Sequence, residues 1–506
     1  VENSVNKKSG PSTTTRRNFL SNAAAATAVS ALPFKLHAQA DALEDKLASD
    51  PMRPQFHLLP AKNWMNDPNG PIYFNGHYHM FFQYNPRAAV WGDMSWNHAV
   101  SPDMLHWTHL PVAMTPTPDS PDSFGCFSGS AIHANDRVYF VYTGTKLGPK
   151  ELATIKDGED KIVESQCLAW SDDPRLIKWT KDPRPIVPKP PPGMKITGFR
   201  DPSVWKQGDA YYMTVGSGEA EIGGCVLLYK SKDLKQWEYL HKLTGGEWDG
   251  HKTANPCDDG EMWECPELFA LGDGHVLIYS TLNKVFWQSG KLDPVAMTFT
   301  ATKTGELDLG CYYAPKTQLD AKGHRILWGW IREQRPDSAM LKAGWSGMMA
   351  LPRVLTLDKD GVLGIRVLPE TTRLRGAVLP QQESREGFRK TLPKASGEII
   401  ATHPTTLSMQ AGSTEVLNVS YASSSHSFTI DGKNFKLYPG DIPSIHAFVD
   451  GSVIEVVLSG RIGYTKRFYY TSPTAPDVEV HTDGKLDAWT IVPISRNRLT
   501  TPATTV

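Results

Sequence analysis

Three short stretches carry acids of the kind that bond-breaking chemistry needs: "WMNDPNG" with Asp67, "FRDP" with Arg200 and Asp201, and "WECP" with Glu264. Two carboxylates astride a glycosidic bond are the usual equipment of sugar hydrolysis. One attacks the anomeric carbon as an anion, and the other delivers a proton to the leaving oxygen. The proton donor must hold its proton, and crowding acids together helps because like charges resist ionising side by side. Taken singly, each stretch has a plainer reading. Asp67-Pro68-Asn69-Gly70 suits the four positions of a β-turn, and Arg200-Asp201 suits an ion pair at a turn. The functional reading requires the chain to bring these acids to one place.

A repeated unit does this. "DPNGPIYFNGHYHMFFQY", "SGSAIHANDRVYFVYTG", "DPSVWKQGDAYYMTVGS", "CPELFALGDGHVLIYST" and "APKTQLDAKGHRILWGWI" share one plan. A short polar motif precedes an apolar strand, a turn and a second apolar strand. The turns are expected at Asn75-Gly76, Asn135-Asp136, Gly208-Asp209, Asp273-Gly274 and Lys322-Gly323. Three hairpins are followed by another strand and then "SPDMLHW", "SDDPRLIKW" or "SKDLKQW". Their tryptophans, Trp107, Trp179 and Trp237, are expected in blade cores. Four strands per repeat is the pattern of a propeller blade. The prediction is an all-β chain: a five-bladed β-propeller over residues 41–360, then a β-sandwich over 361–506. Innermost strands line a propeller's channel, so Asp67-Pro68, Ser128-Gly129, Asp201-Pro202, Cys265-Pro266 and Ala314-Pro315 are expected at equivalent places. Asp67, Asp201 and Glu264 should then share a pocket with Arg200, Trp64, Trp91, Phe127 and Trp330.

The bulk composition agrees. The 506 residues exceed one ordinary core, and the formal net charge of −1 gives no basic excess for nucleic acid. Residues 1–40 place Arg16-Arg17 before an Ala-rich run and Ala38-Gln39-Ala40, which reads as a twin-arginine export signal. The mature protein is expected to be periplasmic or extracellular, and no later run is long and apolar enough to span a bilayer. Six cysteines (Cys126, Cys167, Cys225, Cys257, Cys265 and Cys311) show no C-x-x-C pair and no zinc-ligand spacing. Disulfides and buried free thiols both remain open, and Cys265 reads as packing. His77 and His79 read as solvated or packed histidines on one strand face.

With these residues in view, the chain resembles glycoside hydrolase family 32, the β-fructosidases. "WMNDPNG", "FRDP" and "WECP" match its acidic motifs. "FFQYNP", "FSGSA", "YYAPKT", "GWSGMMALPR" and "FVDGSVIEV" match its smaller signatures in order. The resemblance implies a propeller followed by a sandwich. It implies Asp67 as nucleophile, Glu264 as general acid and base, and Asp201 as the residue holding fructose hydroxyls. It also implies that Asn66, Gln83, Trp91, Phe127, Ser128, Arg200 and Trp330 line the fructose pocket, with retention of configuration and no metal or organic cofactor. The implied substrate is a terminal β-fructofuranoside, either sucrose or a fructan. A fructosyltransferase, an inverting glycosidase and a non-catalytic sugar-binding relative stand as alternatives, and the oligomeric state is open. "WGDMSWNH" departs from the family's usual pattern at Asp93 and Asn97, which bears on leaving-group preference.

Overall fold

The computed structural model describes residues 42–384, 387–494 and 501–502. The export signal expected over residues 1–40 lies outside them. The protein is all-β and has the architecture of a β-propeller. Five antiparallel meanders of four strands follow one another along the chain, beginning with Asn63–Phe74, Gly125–Ala134, Ile196–Gln207, Glu264–Leu271 and Tyr312–Leu319. Each of these first strands contacts the first strand of the neighbouring meander, and Tyr312–Leu319 also contacts Asn63–Phe74.

The expected hairpin turns are present. The fourth falls one residue early, at Gly272-Asp273, between strands Glu264–Leu271 and Gly274–Thr281; Gly272 there has φ +54°. The last meander ends with strand Leu363–Val367, past the expected boundary at residue 360, because Arg353–Leu357 and Leu363–Val367 pair as its outer hairpin. The S-x-D segments are structural. In each, the aspartate accepts backbone N–H groups of the following turn, and the closing indole of Trp107, Trp179 or Trp237 donates to the carbonyl three residues back. Trp179 also stacks on Phe140 at 3.4 Å. His77 is exposed, whereas His79 is buried and hydrogen-bonded to His98 at 2.9 Å.

Later in the chain, a seven-stranded sheet faces strands that include Ser396–Thr402, Ser444–Asp450 and Val453–Leu458, which join the edge of the fourth meander through a single Asp308–Gly463 pair. Their apolar residues form one core that includes Leu407, Leu417, Ile399 and Val456. The "FVDGSVIEV" signature has a structural task here. Asp450 accepts the backbone N–H groups of Gln55 and Phe56 at 2.7 and 2.9 Å. The fully buried His57 bridges Asp450 (2.7 Å) and Glu455 (2.8 Å). Arg353 joins Glu455 (2.8 Å) to Asp308 (3.1 Å). This charged clamp ties the irregular segment that leads into the propeller's first strand to this later region.

Burial alone would lower the pKa of His57, but hydrogen bonds and charge from Asp450 and Glu455 hold it up at about 9. The folded value exceeds the unfolded value of about 6.5. The stabilisation is therefore full below about pH 6.5 and lost as pH rises through 9. His57→Gln is expected to cost about 3–5 kcal/mol at pH 6, because it removes the buried cation from Asp450 and leaves Glu455 only one cation, Arg353, among the described residues. Denaturant melts at pH 6 and pH 9.5 should show a clearly smaller cost at the higher pH.

Candidate active site

All five inner strands break register at their polar motif. In each, two residues oppose one: Asn66 and Asp67 against Gln83, Phe127 and Ser128 against Thr143, Asp201 and Pro202 against Val215, Cys265 and Pro266 against Tyr279, and Ala314 and Pro315 against Gly329. In the last three the sequence explains why. Proline has no N–H for the ladder, so a strand accommodates it at a bulge. Asp201, Cys265 and Ala314, each just before a proline, take φ +63°, +50° and +49°, a strained conformation that recurs at functional sites. Gly70 of "DPNG" has φ +44°, and a Cβ there would lie 2.9 Å from that of Ala131. The equivalence expected from sequence therefore shifts. Asp67 and Ser128 are second in their bulged pairs and Asp201 is first. Glu264 precedes its bulge, at the level of Arg200 and Tyr313.

The bulges bring the three acids together. Asp67 Oδ2 accepts from Ser128 Oγ at 2.6 Å, and Oδ1 accepts from Asn66 Nδ2 at 3.1 Å. Asn66 is fixed in turn by the indole of Trp64 at 2.6 Å. Glu264 Oε1 accepts from Arg200 through Nε (3.0 Å) and Nη2 (2.6 Å), while Oε2 accepts from the Tyr313 hydroxyl at 2.9 Å. Asp201 Oδ2 accepts the backbone N–H of Cys265 at 3.0 Å. Asp201 is buried, whereas Asp67 and Glu264 keep part of their surface open. The two acids with open surface thus have both oxygens held by ordered donors.

Loss of hydration raises the Asp67 carboxyl above its usual range, and the charge of Glu264 adds to this. The Ser128 and Asn66 hydrogen bonds and the charge of Lys316 pull the other way. Burial pushes Asp201 up to about 7, with Arg200 opposing and Glu264 and Asp67 reinforcing. A carboxyl with a raised folded pKa weakens folding once it ionises. That cost is absent below the unfolded value of about 3.9 and complete above about pH 7. Asp201→Asn is therefore expected to raise Tm, more at pH 8 than at pH 5, while lowering activity. Calorimetry at the two pH values checks the sign.

The four aromatics named from sequence meet in one cluster. Trp64 and Phe127 are buried, and Trp91 and Trp330 pack against them half-buried. Trp64 meets Trp330 edge-on at 5.8 Å, and Trp91 meets Phe127 at 6.0 Å. The Trp330 indole N–H has no partner among the described residues. Gln83 lies behind the first strand, donating to the Cys126 carbonyl at 2.9 Å. Arg200 is buried and braces rather than lines, joining Glu264 to the buried Glu164 at 3.1 Å. Asn97 is buried within its strand, and Asp93 pairs with Arg87 at 3.6 Å on the surface.

Cys265 does more than pack. Its thiol lies 3.4 Å from Asp201 and 3.7 Å from Asp67. All six cysteines are buried, and none forms a disulfide. Sequence reasoning missed Glu164, Tyr313, Glu267 and Lys316. The last two flank bulges, and "APKT" standing where other repeats carry "DP" was the available signal for Lys316.

Comparison with known proteins agrees with this geometry. A sequence model of the glycosyl hydrolases family 32 N-terminal domain matches residues 57–365. The chain is 33% identical over 479 residues to a sucrose-6-phosphate hydrolase of Escherichia coli, covering 86% of this chain and 93% of that one. It is 38% identical over 341 residues to a raffinose invertase of Escherichia coli, covering 65% of this chain and 67% of the other. Among solved structures, a GH32 β-fructofuranosidase of Bombyx mori superposes with a TM-score of 0.76 at 27% identity, covering 92% of this chain and 99% of that one.

Proposed function

The chain belongs to glycosyl hydrolase family 32 and is a glycoside hydrolase, and from that premise we propose that it is a retaining, exo-acting β-fructosidase. The observation that carries this reading is the pairing of Asp67 with Glu264. They are the two clustered acids with open surface, each held by hydrogen bonds from two or more ordered donor groups, and each within electrostatic reach of the other. In the first step the Asp67 carboxylate attacks C2 of a terminal fructosyl unit while Glu264 passes its proton to the leaving oxygen. In the second, Glu264 takes a proton from water, the water oxygen bonds to C2, and the Asp67–C2 bond breaks. Asp201, with Asn66, Gln83, Trp91, Phe127, Ser128, Arg200 and Trp330, forms or braces the fructose pocket. The aromatic cluster joins Asp67 through the Trp64–Asn66 hydrogen bond, and on this reading it walls the pocket so that it takes a chain end rather than mid-chain linkages.

On this reading the five meanders are five blades of one propeller, dividing after Val367 from a β-sandwich built by the seven-stranded sheet and the strands that face it. Residues 1–40 act as the export signal, and the mature enzyme works outside the cytoplasm. The substrate is sucrose or a fructan. A phosphorylated sucrose is the second reading, favoured by the sucrose-6-phosphate hydrolase relative. Fructose release from sucrose, sucrose 6-phosphate, inulin and levan under matched conditions tests the proposal. Release from at least one, lost in Asp67→Asn, is expected, and the rate order names the substrate. Binding without turnover of any of them would overturn it in favour of a sugar-binding relative. Dominance of oligomeric fructosides over free fructose at high sucrose would favour a transferase.

A further inference from the structure

The inner strand next to that of Asp67 carries a buried cation that the proposed chemistry does not use. Lys316 follows the bulged pair Ala314 and Pro315 on the inner strand Tyr312–Leu319. Its side chain is 0% exposed, and Nζ has no hydrogen-bond partner among the described residues. Burying an ammonium without hydrogen bonds is strongly unfavourable unless negative charge surrounds it. The groups within its electrostatic reach come from three other inner strands: Asp67 on the first, Asp201 on the third, and Cys265 and Glu267 on the fourth. Glu267 accepts the Thr317 backbone N–H at 2.6 Å and is also within reach of Arg325. Arg200 spends its hydrogen bonds on Glu264, Glu164 and Cys257. Asp67 and Asp201 are thus hydrogen-bonded to no cation among the described residues; Arg200 acts on Asp201 and Lys316 acts foremost on Glu267, but Lys316 is also a buried positive charge within reach of both aspartates.

We propose that Lys316 is a positioning residue of the active site: its buried ammonium is the fixed counter-charge to Asp67 and a second one, beside Arg200, to Asp201, kept for catalysis at the expense of stability. The inference rests on the reading of Asp67 as nucleophile. A nucleophilic carboxylate must be an anion when substrate arrives, and its burial works against that. Lys316 opposes this without donating a hydrogen bond that would blunt the attacking oxygen.

Lys316→Met keeps length and removes charge, so it separates a structural lysine from a functional counter-charge. The counter-charge role predicts a Tm unchanged or raised. It predicts kcat/KM at pH 7 lower by about tenfold or more, and an acid limb of the pH profile moved up by about one unit. Carbon-13 NMR titration of labelled aspartate carboxyls, assigned with Asp67→Asn and Asp201→Asn, should show both groups titrating at higher pH in Lys316→Met. A lowered Tm with unmoved acid limb and unmoved carboxyl titrations would overturn the proposal. If Lys316→Met does not fold, Lys316→Gln takes its place in the same titration. The NMR readout needs no turnover, so a wild-type protein inactive on every fructoside would refute the proposed function while still deciding what Lys316 does to the two carboxyls.

Discussion

Asp67→Asn should lower fructose release by about 10⁴-fold or more while leaving substrate binding nearly intact. Loss of a nucleophile that works as part of a unit costs this order of magnitude, because the remaining groups cannot form the covalent intermediate. The amide is nearly isosteric with the carboxyl. It still accepts the Ser128 hydroxyl's hydrogen bond through its oxygen, and Asn66 remains fixed by Trp64. The Asp67 carboxyl is held above its usual range, chiefly by burial. Replacing it should therefore leave Tm unchanged or slightly raised. Calorimetric titration with substrate, paired with a rate assay, separates binding from chemistry. A variant that loses binding and activity in proportion would place Asp67 in recognition instead.

Glu264→Gln should cost about 10²–10⁴-fold on sucrose, with a distinctive pattern of rescue. The variant retains an oxygen for Arg200 and turns an amide nitrogen toward the Tyr313 hydroxyl, which can accept from it, but it has no acidic proton to give. A β-fructosyl fluoride needs no proton on its leaving group, so its first step should proceed at a rate near the parent's. The second step should then stall for want of a base, giving a burst of fluoride equal to the enzyme present. Azide, which needs no base, should restore turnover and yield a β-fructosyl azide. Equal losses on sucrose and on the fluoride, with no burst and no azide effect, would remove Glu264 from the acid–base role. The Tyr313 hydroxyl supplies an internal control. Tyr313→Phe should slow the reaction far less than Glu264→Gln, because it loosens Glu264 without removing it.

The hairpins and their order were legible because alternating strands and turn-forming pairs are local signals, and so was the convergence of Asp67, Asp201 and Glu264. The level at which each acid sits was not. A bulge is a property of two strands, and the prolines betray it only in part: the first two units bulge at Asn66–Asp67 and Phe127–Ser128, before or without the proline. Partnerships across meanders were also hidden. Glu164 lies in an ordinary apolar strand, "IVESQCLAWS", and only folding brings it 3.1 Å from Arg200. Tyr313 and Lys316 stood in a stretch recognised as a family signature, yet their chemistry depends on the acids of neighbouring strands. "FVDGSVIEV" was equally visible. That Asp450 and Glu455 serve to clamp His57 becomes apparent only when sequence positions almost four hundred residues apart meet.

The most direct test of the central claim uses methanol as acceptor. A fructosyl unit passed from Asp67 to methanol has been displaced twice at C2, so the methyl fructoside must keep the β configuration of the substrate. Unlike free fructose, this product does not mutarotate, and proton NMR reads its anomer at leisure. Wild-type protein turning over its preferred fructoside in dilute methanol should give methyl β-fructofuranoside alone. Methyl α-fructofuranoside as the enzymatic product would mean a single displacement, and Asp67 would not be the nucleophile.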